Sequence, residues 1–432
     1  MHSSDILPYF SVIIPQKNRA EYLVHTLRTC MIQDYPNFEI IVSDDCSDDD
    51  SVKVVESLMK EDSRIKLFAH KKHLGMRDNF EFALNQVKPG YVMALGGDDG
   101  LLPGAISEMY RIIQQTKTEL LTWNLAYFTY PMDGGTHNIL RVPRTKGEEI
   151  VYIKSEDFLN KIARTFQYQT DDCPMFYMKG VASTELVNRV KSRTPDHCFY
   201  YCPTPDGFSG VVLAGEVEQY VYCKKPLSIG GDTVKSQGKN YGRTDEKSRF
   251  EAQQFFNDNI RRSMHSDLSS QPYSPLTTLM TADYLLTARD LPGWPGRYNQ
   301  FAFEDLLKAA FSQIENTSYQ NEVLGRELLI LREIAKQHNL LPLFQQLYKT
   351  TRHKIYQNNV PYGFAITNSI RMDGSELGID NIFDASLAVN FIYNFYKKVS
   401  FRTIFEVLFN NIKIVLQSRK YSYEELPIIN VD

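Results

Sequence analysis

Four short apolar runs constrain this chain most: FSVIIP at 10–15, FEIIV at 38–42, IKLFA at 65–69 and YVMAL at 91–95. They are rich in β-branched and aromatic residues and end in polar or turn residues, as buried strands do. Between them, apolar residues recur at helical spacing over 21–32 (Leu23, Leu27, Cys30, Met31), over 51–60 (Val52, Val55, Leu58, Met59) and over 79–87. Strands and helices alternating at this spacing predict an α/β fold with a mostly parallel, doubly wound sheet. Such sheets bind ligands in the crevice beyond the carboxyl ends of their strands. Three of the four runs end in polar or acidic loops: QKNR at 16–19, SDDCSDDD at 43–50 and GGDD at 96–99.

The last of these loops carries the clearest chemistry. In YVMALGGDDGLLPGAI, at 91–106, two glycines and then Asp98 and Asp99 follow the strand, and Pro103 stands where a helix can start. Adjacent carboxylates beside close-approaching backbone suit a hard divalent cation that bridges to phosphate oxygens. A solvated loop with two chance acids is the plain alternative. Neither GxGxxG nor GxxxxGK[ST] is present, so phosphate would be held by metal and basic side chains, not by a glycine cradle.

Composition narrows the classes. At 432 residues two or three domains are expected. A net charge of −4 argues against a nucleic-acid partner. Six cysteines without a CxxC pair or metal spacing fit a reducing compartment. No basic, apolar leader precedes 11–14 and no run reaches the length of a membrane span, so the cytoplasm is the expected compartment.

Together, SVIIPQKNRAEYL, EIIVSDDCSDDD, RIKLFAHKKHLGMRDNFEFAL and VMALGGDDGLLPGAI resemble, in order, the nucleotide-sugar half of the family 2 glycosyltransferases, which have the GT-A fold. The resemblance covers about the first quarter of the chain and rests on co-occurrence, which is more specific than any single motif. It implies that Pro15 and the turn bearing Lys17 and Arg19 flank the base of a nucleoside diphosphate. Asp44 and Asp45 would lie at the nucleotide, Asp45 accepting from the ring imide, usually of uracil, and Arg77 would reach the base or diphosphate. Asp98 stands in the metal-binding DxD with Asp99 beside it, for Mg²⁺ or Mn²⁺. Two positions depart from the pattern: Lys17 replaces the usual aromatic residue, and Gly96 replaces the first acid of DxD. Plainer roles exist too. Asp44 or Asp45 can cap the following helix, and Arg77 can pair with Asp78 or Glu81.

Further along, a strand is expected at 119–130, an excursion at 131–146, a helix at 155–165 capped by Ser155, a helix at 183–190 and a strand at 220–229. Asp206 follows a proline turn at the mouth of an apolar helix, where the resembled family usually carries its catalytic base. Inverting sugar transfer needs one such carboxylate to take the acceptor proton. Asp206 could instead be a helix N-cap, and Asp171 and Asp172 are second choices for the base. The loop 230–238, with glycines, hydroxyls and Lys235, suits either closure over a diphosphate or a flexible link.

A glycosyltransferase domain is therefore expected over 1–242, with 1–110 as its nucleotide-sugar half and 111–242 as its acceptor half. A mainly helical region is expected over 243–432, with helices at 250–264, 276–289, 301–314 and 321–337. Packing on the catalytic domain or homo-oligomer formation is its plain role. The stretch 391–420 has an apolar stripe with basic residues at both ends, which suits a packed helix or peripheral contact with the inner face of a membrane. The expected partners are a nucleoside-diphosphate sugar and a saccharide or lipid-linked saccharide. By family habit the setting is surface polysaccharide assembly. A catalytically inactive sugar-nucleotide scaffold and a nucleotidyltransferase are the competing readings.

Overall fold

The computed structural model describes residues 7–131, 138–145, 147–236, 250, 254, 263–317, 319, 321–356, 365–366, 369–396 and 421–424. Its first third is the expected alternation: β1 (Phe10–Gln16), α1 (Ala20–Met31), β2 (Phe38–Asp44), α2 (Ser51–Leu58), β3 (Ile65–Ala69), α3 (Met76–Leu84) and β4 (Tyr91–Ala94). β1 pairs in parallel with β2 and β4, and β2 in parallel with β3. The order β3-β2-β1-β4 means that the chain leaves β1 in one direction for β2 and later returns to its other side. That reversal opens a crevice at the carboxyl ends of β1 and β4. β1 and β2 are buried throughout, because helices cover both faces and leave no polar side to the strand.

Beyond β4 the sheet becomes mixed. The next elements are β5 (Gly100–Leu101), α4 (Ala105–Thr116), β6 (Leu120–Thr129), β7 (Ile139–Pro143), β8 (Ile150–Lys154), α5 (Ser155–Thr165), β9 (Gly180–Ser183), α6 (Thr184–Lys191), α7 (Gly207–Gly215) and β10 (Gln219–Asp232). β9 runs antiparallel between β4 and β6, while the long β10 pairs in parallel with β6. Ser183 caps α6 through the Leu186 N–H at 3.1 Å. Ser155 does not cap α5: its hydroxyl is buried without a hydrogen-bond partner among the described residues, and Lys154 holds the N-cap position.

The rest is largely helical: α8 (Thr277–Arg289), α9 (Phe303–Asn316), α10 (Asn321–Gln337), α11 (Leu341–Thr350) and α12 (Ile382–Tyr396). Four short strands were not expected: β11 (His353–Tyr356), β12 (Ala365–Ile366), β13 (Ser369–Asp373) and β14 (Tyr421–Glu424). β13 joins the main sheet beside β7, and β12 pairs with β13. Most of the expected helix at 250–264, and 397–420 of the basic-flanked stretch, lie outside the described residues.

The boundary expected at 242/243 does not separate the hydrophobic cores. Tyr284, Leu285, Ala288 and Trp294 share one core with Phe208, Val211 and Tyr220. Ile382, Val389 and Ile370 share another with Tyr22, Leu102 and Phe128. The cluster around Leu286, Leu307, Phe311 and Leu331 belongs mainly to the helical part.

Candidate active site

The carboxyl ends of β1 and β4 open into a cleft of about 1710 Å³. Pro15, Lys17, Arg19, Asp45 and Asp98 line it, together with Tyr168, Asp171 and Asp206. The expected residues divide into those facing this space and those holding its walls.

Asp98 faces the cleft. Its Oδ2 accepts from the Thr233 hydroxyl at 3.1 Å and lies 3.8 Å from Arg19 Nε. Asp99 does not line the cleft. Its side chain is fully buried, accepts from Gly96 N at 2.8 Å and Gly231 N at 2.9 Å, and is hydrogen-bonded by the Tyr177 hydroxyl. Burial, and then the Asp98 charge, push the Asp99 carboxyl up to about 7. Asp99 thus ties the β4 loop to the end of β10, and Asp98 is the acid left to reach a ligand. The tie depends on Gly231, where a β-carbon would lie 1.9 Å from the Asp98 carbonyl oxygen.

Asp44 is also turned inward. Gln16 Nε2 donates to its Oδ2, as does Ser47 Oγ at 2.5 Å, and Ser47 N donates to Oδ1 at 3.0 Å. It therefore shapes the loop after β2 and does not line the cleft. Asp45 lines the cleft but is engaged as well, by Leu74 N at 2.6 Å, Gly75 N at 3.1 Å and the His73 ring at 2.8 Å. Neither acid's side chain caps α2, which lacks a side-chain cap. Arg77 pairs with Asp78 at 2.7 Å and does not line the cleft.

The loop after β10 closes on the β1 turn. Lys235 Nζ donates to the Asn18 carbonyl at 2.6 Å, and Arg19 Nη2 donates to the Lys235 carbonyl at 2.8 Å. With the Thr233–Asp98 bond, these contacts hold the loop after β10 against Asp98 and the β1 turn.

Asp206, also in the cleft lining, precedes α7 without a side-chain capping bond. Its Oδ2 accepts from the Tyr168 hydroxyl at 2.8 Å, and Gln169 Nε2 donates to that hydroxyl at 3.2 Å. The other oxygen, Oδ1, is buried with no partner among the described residues. A carboxylate oriented through one oxygen, with a free acceptor on the other, has the geometry a general base requires. Asp172 differs: Lys161 at 2.9 Å and Thr170 at 2.6 Å hold it, and despite its burial those bonds keep its carboxyl below the usual range. The buried Lys179 ammonium, held below its usual value by burial, donates to the carbonyls of Thr170 at 3.0 Å and Asp171 at 2.6 Å. It fixes the turn beside Asp206.

Tyr168, Tyr177, Lys179 and Thr233 carry no readable spacing, since each acts through a partner distant in sequence. The cleft is also lined by Tyr273, Met280, Gln313 and Tyr319, from the helical region. Among the described residues no group of three or more His, Cys, Asp or Glu side chains could hold a metal unaided. Asp98 alone fits the magnesium pattern, in which one or two carboxylates hold the ion together with substrate phosphates.

Residues 11–176 match the family model described as "Glycosyl transferase family 2". A GalNAc(5)-diNAcBac-PP-undecaprenol beta-1,3-glucosyltransferase of Campylobacter jejuni is 40% identical over 104 residues, 24% of this chain and 34% of the relative. The putative teichuronic acid biosynthesis glycosyltransferase TuaG of Bacillus subtilis is 32% identical over 92 residues, 21% of this chain and 36% of the relative. The chain thus spans about a third of the length of each. Among solved structures, S. aureus TarS 1–349 in complex with UDP-GlcNAc aligns with a TM-score of 0.42 at 13% identity, over 83% of this chain and 94% of that one. A mannosyltransferase from Pyrobaculum calidifontis with GDP-Man and Mn²⁺ aligns with a TM-score of 0.38 at 14% identity, over 79% and 86%.

Proposed function

We propose, from the match of residues 11–176 to the glycosyl transferase family 2 model, that this chain is a family 2 glycosyltransferase with a GT-A domain and transfers a sugar, with inversion, from a nucleoside-diphosphate donor to a hydroxyl acceptor. The observation that carries the reading is that Asp98 and Asp206 line one cleft at the switch point of the sheet. Uridine is the proposed base, a saccharide or lipid-linked saccharide the proposed acceptor, and surface polysaccharide assembly the proposed setting.

In this reading Pro15, Lys17, Arg19 and Asp45 border the nucleotide, and Arg19 brings positive charge to the diphosphate. Asp206 Oδ1 takes the proton from the acceptor hydroxyl while Tyr168 fixes the carboxylate through Oδ2. The acceptor oxygen then bonds to the anomeric carbon as the bond from that carbon to the diphosphate oxygen breaks, and the electron pair leaves with the nucleoside diphosphate. A Mg²⁺ or Mn²⁺ ion, held by Asp98 together with donor phosphate oxygens, would supply Lewis-acid stabilisation of that leaving group. Arg77 stays with Asp78 and has no part in this scheme.

Peripheral membrane contact belongs to the same proposal. Leu387, Phe391 and Phe395 are 42%, 69% and 59% exposed and recur every fourth residue on α12, just before the basic residues Lys397, Lys398 and Arg402. Among the described residues no helix is long and apolar enough to cross a membrane.

The test is calorimetric titration of UDP with Mn²⁺, then with EDTA, on wild type and Asp98→Ala. Metal-dependent binding that the substitution abolishes is expected. Absence of UDP binding under every condition would remove the uridine assignment.

A further inference from the structure

One row of side chains leads out of the cleft along the sheet. Gly230 on β10 pairs with Tyr127 on β6, Tyr127 with Arg141 on β7, and Arg141 with Arg371 on β13. Residues directly opposite in neighbouring strands project from the same face. Gly230, Tyr127 and Arg141 line the cleft, and Arg371 lies one strand beyond its rim. The Arg141 guanidinium rests over the Tyr127 ring, 4.3 Å from its centroid.

Like charges directly opposite on an antiparallel pair are destabilising. Burial, and then the Arg141 charge, disfavour the protonated Arg371 side chain. Neither arginine has an acidic partner among the described residues. The nearest acid on β13, Asp373, is occupied by Ser375 N at 2.9 Å and Ser375 Oγ at 2.5 Å. Two arginines paired across neighbouring strands, one of them lining the cleft and neither with an acidic partner among the described residues, suit an oxyanion.

The position of the pair indicates which substrate bears the anion. Strands lie about 4.8 Å apart, so three steps put Arg371 roughly 14 Å from the β10 strand that is tied to Asp99. A donor diphosphate beside Asp98 is out of its reach. Pockets for small ligands occupy about 300–1,000 Å³, and a cleft of about 1710 Å³ has room for more than a nucleotide sugar.

We propose that Arg141 and Arg371 form an acceptor subsite for an anionic saccharide, gripping a carboxylate or phosphate group on a part of the acceptor away from the reacting hydroxyl. The inference rests on the glycosyl-transfer reading but concerns the acceptor alone. Tyr127 holds Arg141 in place and offers the saccharide a flat apolar surface.

The test uses hexasaccharides of equal length: neutral maltohexaose, a phosphorylated maltohexaose and an oligogalacturonate. Their dissociation constants are measured calorimetrically, with and without saturating UDP and Mn²⁺. At least one charged oligomer is expected to bind at least about tenfold more tightly than the neutral one, as a charge-assisted hydrogen bond implies, and more weakly as salt rises. Whichever charged form binds better identifies the anion. Arg141→Gln and Arg371→Gln should each remove about that tenfold preference while leaving UDP binding unchanged, and Arg371→Lys should lose less. Thermal denaturation confirms that the variants fold.

Equal binding of all three oligomers, no binding of either charged one, or charged binding unaffected in both variants would overturn the proposal. Loss of UDP affinity in Arg141→Gln would reassign that residue to the donor and equally overturn it. Charged oligomers that bind a protein with no affinity for UDP would support the subsite and count against the donor reading alone.

Discussion

A β-carbon at Gly96 would lie 2.6 Å from the Tyr177 hydroxyl and 2.7 Å from Asp99 Oδ2. The missing first acid of the DxD pattern therefore cannot simply be restored, because a tyrosine and the inward-turned Asp99 occupy its space. Gly96→Asp is expected to lower stability by about 1–3 kcal/mol, the usual cost of overpacking, without raising activity; thermal denaturation and initial rates check both. Asp206→Asn should reduce kcat by about 10²–10⁴, the range of a general base, and leave the UDP dissociation constant unchanged. A fall in UDP affinity with unaltered kcat would move Asp206 out of the base role.

Among elements, α7 and α8 matter most, because α7 follows Asp206 directly. α8 packs so closely that a β-carbon at Gly207 would come 2.1 Å from the Tyr284 ring, and Tyr284 stands edge-on to Tyr168 with centroids 5.5 Å apart. Tyr284→Ala should cost about 3–5 kcal/mol, as for other large buried aromatics, and should lower kcat more than it changes UDP affinity, since it loosens the packing behind Tyr168 and Asp206, the proposed base. The buried Glu327 on α10 controls a pH dependence. Burial pushes its carboxyl up to about 7 against the opposing Arg326 charge. A carboxyl raised in the folded state stabilises fully below its unfolded value near 4.5, and that contribution fades as pH rises through about 7. The melting temperature should therefore fall between pH 5 and pH 8, and Glu327→Gln should flatten the fall.

At the scale of the whole molecule, the helical region is expected to be inseparable from the catalytic part. Residues 1–242 alone would expose the face that Tyr284, Leu285 and Trp294 cover in their shared core, together with the surfaces of Tyr22, Leu102 and Phe128 that Ile382 and Val389 cover. We expect that fragment to aggregate or to lack a cooperative thermal transition, as calorimetry would show. A soluble fragment that melts cooperatively and binds UDP would restore the boundary at 242/243. The α12 stripe is tested by vesicle sedimentation: replacing Leu387, Phe391 and Phe395 with Ser should release protein from anionic vesicles without altering UDP binding.

The alternation of strands and helices over 10–95, the loops at their carboxyl ends and the place of Asp98 and Asp206 were legible in the sequence, because period, turn chemistry and motif order are local properties. The expected strands over 10–95 form with small shifts at their ends, and α3 begins at Met76, three residues before its expected start. Partnership was decided by the tertiary structure. Adjacent Asp98 and Asp99 look equivalent in the chain, yet the Gly96, Gly231 and Tyr177 donors turn one inward and leave the other facing the cleft. Asp44 and Asp45 are likewise separated by what Gln16, Ser47 and the 73–75 loop present to them. Arg141 and Arg371 lie 230 positions apart, and only the pairing of β7 with β13 brings them together. A carboxylate or guanidinium takes its role from the donors, acceptors and charges within a few ångströms, and the fold supplies those from distant parts of the chain.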